Sequence, residues 1–449
     1  MSESRPTRVR HLALAAGAVV LLVVSVWLAV QGGLLPTAGS LSLVAGKTWG
    51  VFALAIGSGP YFVSLWLGAA GWGSILRKTL APDARNGIVV QLAAGMGAML
   101  MLDWLLALAG LLNPWSAWGV CAVGFFILSW GMPAKFRELL SQPERWPSPP
   151  WTLLLGLPAL GLLLTACACP PGTLWAVEAY GHDVLSYHLQ VPREWLDAGR
   201  MVGFEHNVYS HLPLLCEAGY MQAGAMVGSV ESSVYLVQLW HASTALLAAA
   251  AVAGIVRRLV GTAAGLIGGI FLHAAPWVVI TGSLAYNECF VLAFGGAALL
   301  LVFDPATDSR RGTVLVGLLA GFATLAKLPA GFMVAVPVAL IMLLRLHRNG
   351  HTDRSIRVST AVKATAVATL TGALTIAPWM ATSVLGQGHW DDTLAARWDA
   401  AHGSSGIGEG VAELGRQWLW NKGYGAMWGG EPDMERGEAA VFDTEIGRA

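Results

Sequence analysis

At 449 residues the chain is 55% hydrophobic and only 12% charged, about half the charged share of an ordinary soluble domain, which excludes a soluble globular protein and points to an integral membrane protein. Its 27 basic and 27 acidic residues cancel, so bulk charge gives no sign of a nucleic-acid partner. Five scattered cysteines without a CxxC pair indicate neither a disulfide framework nor a zinc site.

A helical span needs roughly 20 apolar residues. About eleven stretches qualify, near 11–30, 50–71, 87–109, 114–132, 151–169, 233–256, 260–280, 284–303, 312–327, 330–345 and 360–382. The predicted fold is all-α, a polytopic transmembrane helical bundle with an outer-face loop that contains short interfacial helices. Lys327 and Pro329 interrupt what would otherwise be one long run at the ninth and tenth stretches. Cytoplasmic loops retain Lys and Arg, and most of the basic residues, including Arg5, Arg8, Arg10, Arg77, Lys78, Arg257, Arg258, Arg310 and Arg311, share one side if the N-terminus is cytoplasmic. This orientation predicts a membrane protein with the N-terminus cytoplasmic and the loop 170–232 and the tail 383–449 outside, and the expected location is a bacterial inner (plasma) membrane. Three divisions follow: a four-helix block over 1–145, a transmembrane core with the outer loop over 146–382, and the C-terminal tail over 383–449.

The outer loop breaks the apolar pattern with "EAYGHDVLSYHLQVPREWLDAGR" at 178–200. Pro192 sits where a helix can start and Gly199 where it can stop, so the segment predicts a short amphipathic helix. Its Trp195 and Leu196 would face lipid, and Arg193, Glu194 and Asp197 would face water or headgroups. Asp183 and Tyr187 are four apart and share a face if that piece is helical; His182 and His188 are six apart, which matches no standard metal pair. Loop carboxylates are ordinarily just solvated. Density singles this stretch out, because Glu178, His182, Asp183, Tyr187 and His188 follow directly on a span, where a partly desolvated carboxylate can work as a general base.

Two more positions stand out in chain order. Glu288, in "SLAYNECFVLAF", opens the eighth stretch on the same predicted side, and a carboxylate entering an apolar zone ordinarily faces protein or a cavity. Lys327, in "ATLAKLPAG", is a lone cation at the outer edge, suited either to snorkelling or to binding an anion. His241, His273 and Asp103 read as packing or interface groups.

The succession "HDVLSYHLQVPREWLDAGR", "NVYSHLPLLCEAGYMQAG", "AYNE", "GLLAGFATLAKLPAG" and "APWMATS" resembles the polytopic glycosyltransferases of the GT-C fold, related to protein O-mannosyltransferases and the lipid A aminoarabinose transferase. The resemblance covers about 151–390. It implies transfer of a sugar from a polyprenyl-phosphate carrier, held in membrane lipid, to an unidentified glycan, lipid or protein acceptor on the outer face. Asp183 matches the acidic residue of the family's first outer loop, Glu288 the second acidic position, and Lys327 a cation that meets the carrier phosphate; Glu178, His182, Tyr187 and His188 are the accompanying substrate-binding candidates. The residues specify no cofactor with certainty. A divalent cation is an option for Glu288 with the two loop histidines, though no ligand spacing demands one. Four spans precede the family-like first helix, and the chain carries one tail where relatives continue through further helices. Two alternatives stay open: a membrane transporter or lipid flippase, and a truncated, non-catalytic relative of the same family.

Overall fold

The computed structural model describes residues 54–84, 87–130, 151–175, 181–204, 206–349 and 354–385. The predicted first span, Glu178 and the tail beyond 385 lie outside the described residues. The chain divides into two units, Met1–Met380 and Ala381–Ala449, and every packing contact given belongs to the first. Every named element among the described residues is helical.

Three helices open the structure: α1 (Gly59–Leu80), α2 (Gly87–Leu108) and α3 (Pro114–Trp130). α1 follows a helical stretch at 54–57, has Pro60 in its first turn, and continues through Arg77 and Lys78 in the last turn, where cations offset the helix dipole. Arg77 is tied down by donating to Gln91 Oε1 at 3.1 Å. Glycines let the three backbones touch. A methyl on Gly95 of α2 would lie 1.8 Å from the Ala69 carbonyl oxygen of α1, and one on Gly71 of α1 would lie 1.6 Å from that of Gly124 in α3, so small residues set these crossings as they do in membrane bundles generally.

A 3₁₀ turn (Trp151–Gly156) leads into α4 (Leu157–Cys167). Next come a π-wound segment (Val184–His188), α5 (Gln190–Ala198), a 3₁₀ turn (Val208–His211) and α6 (Leu215–Val227). α7 (Val230–Leu259) is the central helix; α8 (Thr262–His273) and α9 (Pro276–Gly282) come next, bent by 56° at Pro276, whose ring cannot continue a hydrogen-bonded helix. α10 (Glu288–Val302), α11 (Arg310–Ala326), a π-wound turn (Gly331–Ala335), α12 (Val336–Asn349) and α13 (Arg354–Leu385) complete the bundle.

By length and apolarity, α2, α7, Gly331–Arg348 and Val358–Thr382 can each cross a membrane, and α8 with α9 makes a fifth candidate if the bent pair counts as one. The described residues thus offer four or five spans where about eleven were expected. α3, α4 and α10 are apolar but short, and α11 opens on the charged pair Arg310–Arg311.

The core lies where α7 packs against α6 and α10, with Trp240, Tyr220, Phe290 and Phe294 fully buried. At one end, Arg258 donates to the Leu300 carbonyl at 2.6 Å and Arg345 to that of Val302 at 2.7 Å, and Arg258 pairs with buried Asp304 at 2.5 Å. Cations therefore cap the C-terminus of α10 while Glu288 sits in its first turn, and both charges complement the helix dipole. α12 and α13 are packed far less tightly: 17% and 22% of their apolar windows are buried inside the protein, against 61% in α2 and 56% in α7.

α5 corrects one expectation. Gly199 ends it in the left-handed conformation (φ 70) as its sequence suggests, but Trp195 is fully buried and donates to the Val202 carbonyl at 2.7 Å. The apolar face of α5 packs on α6, because the chain after Gly199 folds back beneath it and the indole N–H needs an acceptor once buried.

Candidate functional site

The site is built on the turn into the π-wound segment. Gly181 adopts φ +73, and a methyl there would lie 2.9 Å from the Gly172 nitrogen, so glycine lets the chain pass close to its own preceding loop. Asp183 follows at intermediate exposure, immediately before Val184–His188. The Leu189 N–H bonds the Val184 carbonyl five residues back at 2.9 Å; such widened turns recur at functional positions. The expected four-residue contact is present, with the Tyr187 hydroxyl donating to Asp183 Oδ2 at 3.5 Å.

Tyr187 is 7% exposed. Its ring stacks on Tyr209 at 4.3 Å and lies 4.0 Å from the His188 ring, centroid to centroid. Burial first, then the negative charges of Asp183, Glu217 and Glu288, push its phenol above the usual tyrosine range. The hydroxyl therefore stays protonated and acts as a donor to Asp183. Three carboxylates from separate parts of the sequence act on this one ring.

His188 was expected among substrate-binding groups but is buried, with Nδ1 2.5 Å from Glu217 Oε1, and Glu217 is fully buried on α6. The pair holds the π-wound segment onto α6. Leu214, just before α6, has φ 48, the sole positive φ at a non-glycine among the described residues. Backbone strain of this kind costs about 1–3 kcal/mol and persists where surrounding structure enforces it; Leu214 stands three residues before Glu217.

Asn287 joins three elements. Its amide donates to the Ala326 carbonyl at 2.9 Å, at the end of α11, and to Glu217 Oε1 at 3.4 Å. Consequently Glu288 and Lys327, 39 residues apart, meet as an ion pair. Lys327 is 37% and Glu288 33% exposed, so the pair is accessible at the bundle end. Beneath it, His241 Nδ1 lies 2.7 Å from the Leu284 carbonyl while its Nε2 accepts the Cys289 N–H at 3.0 Å. That combination requires neutral histidine protonated on Nδ1, and it fixes the start of α10 from below.

Asp183, Tyr187 and His188 thus connect through Glu217 to Asn287, whose chain neighbour Glu288 pairs with Lys327. His182 is exposed beside Asp183; Glu178 is outside the described residues. Glu217 and Asn287 complete the network and escaped the sequence reading, although Glu217 is a carboxylate inside apolar "PLLCEAGYM" and Asn287 directly precedes Glu288. Buried acceptor atoms Glu217 Oε2, Asn287 Oδ1 and Glu288 Oε2 have no protein partner, so the site carries a surplus of acceptors that water or hydroxyl donors can satisfy. Among the described residues, no three His, Cys, Asp or Glu side chains gather as a metal-binding group.

Chemically, the bundle end offers a half-exposed carboxylate at Asp183 and an accessible cation at Lys327. Residues 218–380 match the family model described as dolichyl-phosphate-mannose-protein mannosyltransferase. No curated protein and no solved structure matches the chain. The matched segment runs from α6 into α13 and contains Glu288 and Lys327, while Asp183 and its neighbours precede it. Over residues 218–380 the chain is therefore similar to a family of membrane glycosyltransferases, and its apolar helices fit a membrane protein.

Proposed function

We propose that the protein transfers a sugar from a polyprenyl-phosphate carrier to a hydroxyl acceptor on the outer face of a bacterial plasma membrane, with the N-terminus cytoplasmic. The observation that supports this reading is that Tyr187, whose hydroxyl donates to Asp183, also feels the charge of Glu288, the ion-pair partner of Lys327. Asp183 takes the proton of the acceptor hydroxyl as that oxygen attacks the sugar's anomeric carbon. The bond from this carbon to the carrier phosphate breaks, and the phosphate leaves against the Lys327 ammonium. One displacement inverts the anomeric carbon; the products are the glycosylated acceptor, polyprenyl phosphate and a proton on Asp183.

Glu288 keeps Lys327 extended at the site until the donor phosphate competes for it. Tyr187 holds Asp183 through its hydroxyl, and His188 with Glu217 holds the segment that carries both. Substrate contact falls to the exposed groups, Asp183, His182, Glu288 and Lys327. Incubating purified protein in lipid nanodiscs with radiolabelled polyprenyl-phosphate sugars and mixed acceptors should release polyprenyl phosphate together with a labelled product. Solute or lipid flux in proteoliposomes, with no donor-dependent product, would instead establish the transporter alternative.

A further inference from the structure

Resting on the transferase reading above, we infer that Tyr209 is the platform for the acceptor, and that the acceptor is a saccharide whose ring stacks on this tyrosine while one of its hydroxyls meets Asp183. The Tyr187 ring has His188 at 4.0 Å and Tyr209 at 4.3 Å, centroid to centroid, and two rings that close to one centroid occupy its opposite faces. His188 in turn lies 5.0 Å from the ring of Tyr286, which stands two residues before Glu288. The stack therefore leads from the side of Glu288 and Lys327 outward through Tyr187, and Tyr209 is its outer end. An inverting displacement brings the acceptor in opposite the leaving phosphate. With the phosphate at Lys327, the acceptor's side is that of Tyr209.

The turn that carries Tyr209 is tied down on two sides. The Tyr209 N–H donates to Asn207 Oδ1 at 3.2 Å, and the Asn207 amide donates to the Ser186 carbonyl at 2.9 Å, which joins the turn to the segment bearing Tyr187. Trp379 of α13 donates to the His211 carbonyl at 3.2 Å. Tyr209 is nonetheless 43% exposed. Tyr187 covers one of its faces at an interplanar angle of 21°, so the exposed area belongs to the other face and the rim. A rigid aromatic ring binds at low conformational-entropy cost, and its electron-rich face suits the C–H-lined side of a pyranose, whose hydrogens are slightly positive. The neighbouring polar group favours the same ligand. Asp183 is half-exposed and accepts hydrogen bonds, and saccharide hydroxyls can all donate to it. A peptide backbone brings a carbonyl oxygen with nearly every N–H, and a carboxylate cannot satisfy those.

The test uses the full-length protein in phosphatidylcholine nanodiscs with a polyprenyl-phosphate hexose, a panel of methyl hexopyranosides and a peptide containing serine and threonine. Transfer should go to a glycoside. Tyr209→Leu, which keeps an apolar side chain against Tyr187 but removes the ring, should raise the acceptor KM about two- to tenfold and leave the donor KM and the thermal midpoint unchanged; Tyr209→Trp should restore the native acceptor KM. Transfer to the peptide alone, an unchanged acceptor KM in Tyr209→Leu, or an equal rise in the donor KM overturns the assignment. If no acceptor is glycosylated, saturation-transfer NMR of the same glycosides on the nanodiscs decides separately. Saturation of their ring protons that is lost in Tyr209→Leu and recovered in Tyr209→Trp upholds the platform and counts against the transferase reading alone. Saturation that is absent, or indifferent to Tyr209→Leu, overturns the platform.

Discussion

Lys327 and Tyr187 illustrate how a side chain's surroundings decide what it can do. The Lys327 ammonium is exposed enough to exchange its Glu288 partner for a phosphate. Lys327→Met should lower kcat/KM for a polyprenyl-phosphate sugar by about 1.5–3 kcal/mol, or roughly ten- to a hundredfold, the range for losing a charged hydrogen bond. Unchanged donor kinetics would remove the residue from the site. Tyr187 titrates later in the folded protein than in the unfolded chain, because burial and three carboxylates oppose its ionisation. The unfolded chain therefore loses this proton first, and the group makes stability fall as pH rises above about 10 while contributing no pH dependence near neutrality. Subtracting the alkaline absorbance titration of Tyr187→Phe from that of the native protein should leave no phenolate step near pH 10; a step there would show an ordinary, solvent-exposed tyrosine. The contact between Asp183 and Tyr187 was readable from their four-residue spacing. The partner of His188 was not, because Glu217 lies 29 residues away and the two meet only once α6 is buried.

At the scale of elements, local signals succeeded where local physics dominates. Gly199 stops α5 where its sequence suggests, and Lys327 with Pro329 separates α11 from the turn into α12. The face that α5 buries was misread, because amphipathic spacing reports an apolar side without saying whether lipid or protein covers it. Helix crossings were similarly illegible, since the glycines of α1 and α2 reveal their purpose only where two backbones touch. Gly95→Ala should destabilise the protein by about 1–3 kcal/mol, as overpacking does in tight interiors, and lower the thermal midpoint in detergent. Gly57→Ala, with open space around the added methyl, should leave the midpoint unchanged or raise it. Equal effects at the two positions would contradict the close α1–α2 crossing.

Across the whole molecule, the first three helices brace the site. Trp104 of α2 donates to the Pro213 carbonyl at 2.8 Å, the Met201 N–H bonds the Ala107 carbonyl at 2.8 Å, and Gln222 of α6 donates to the Ala117 carbonyl of α3 at 3.1 Å. Composition pointed to a membrane bundle, and the motif order pointed to the family that residues 218–380 match. That the opening block supports the segment around residues 201–222 depends on contacts more than 90 residues apart in sequence and could not be read from spacing. The resulting frame fixes α6, α6 fixes His188, and His188 anchors the segment that presents Asp183. The decisive measurement is the turnover of Asp183→Asn with a polyprenyl-phosphate sugar in nanodiscs, with thermal stability checked alongside. Loss of the general base should reduce kcat at least about a hundredfold while leaving the thermal midpoint close to that of the native protein. Turnover equal to the native enzyme would contradict the assignment of Asp183 as the base.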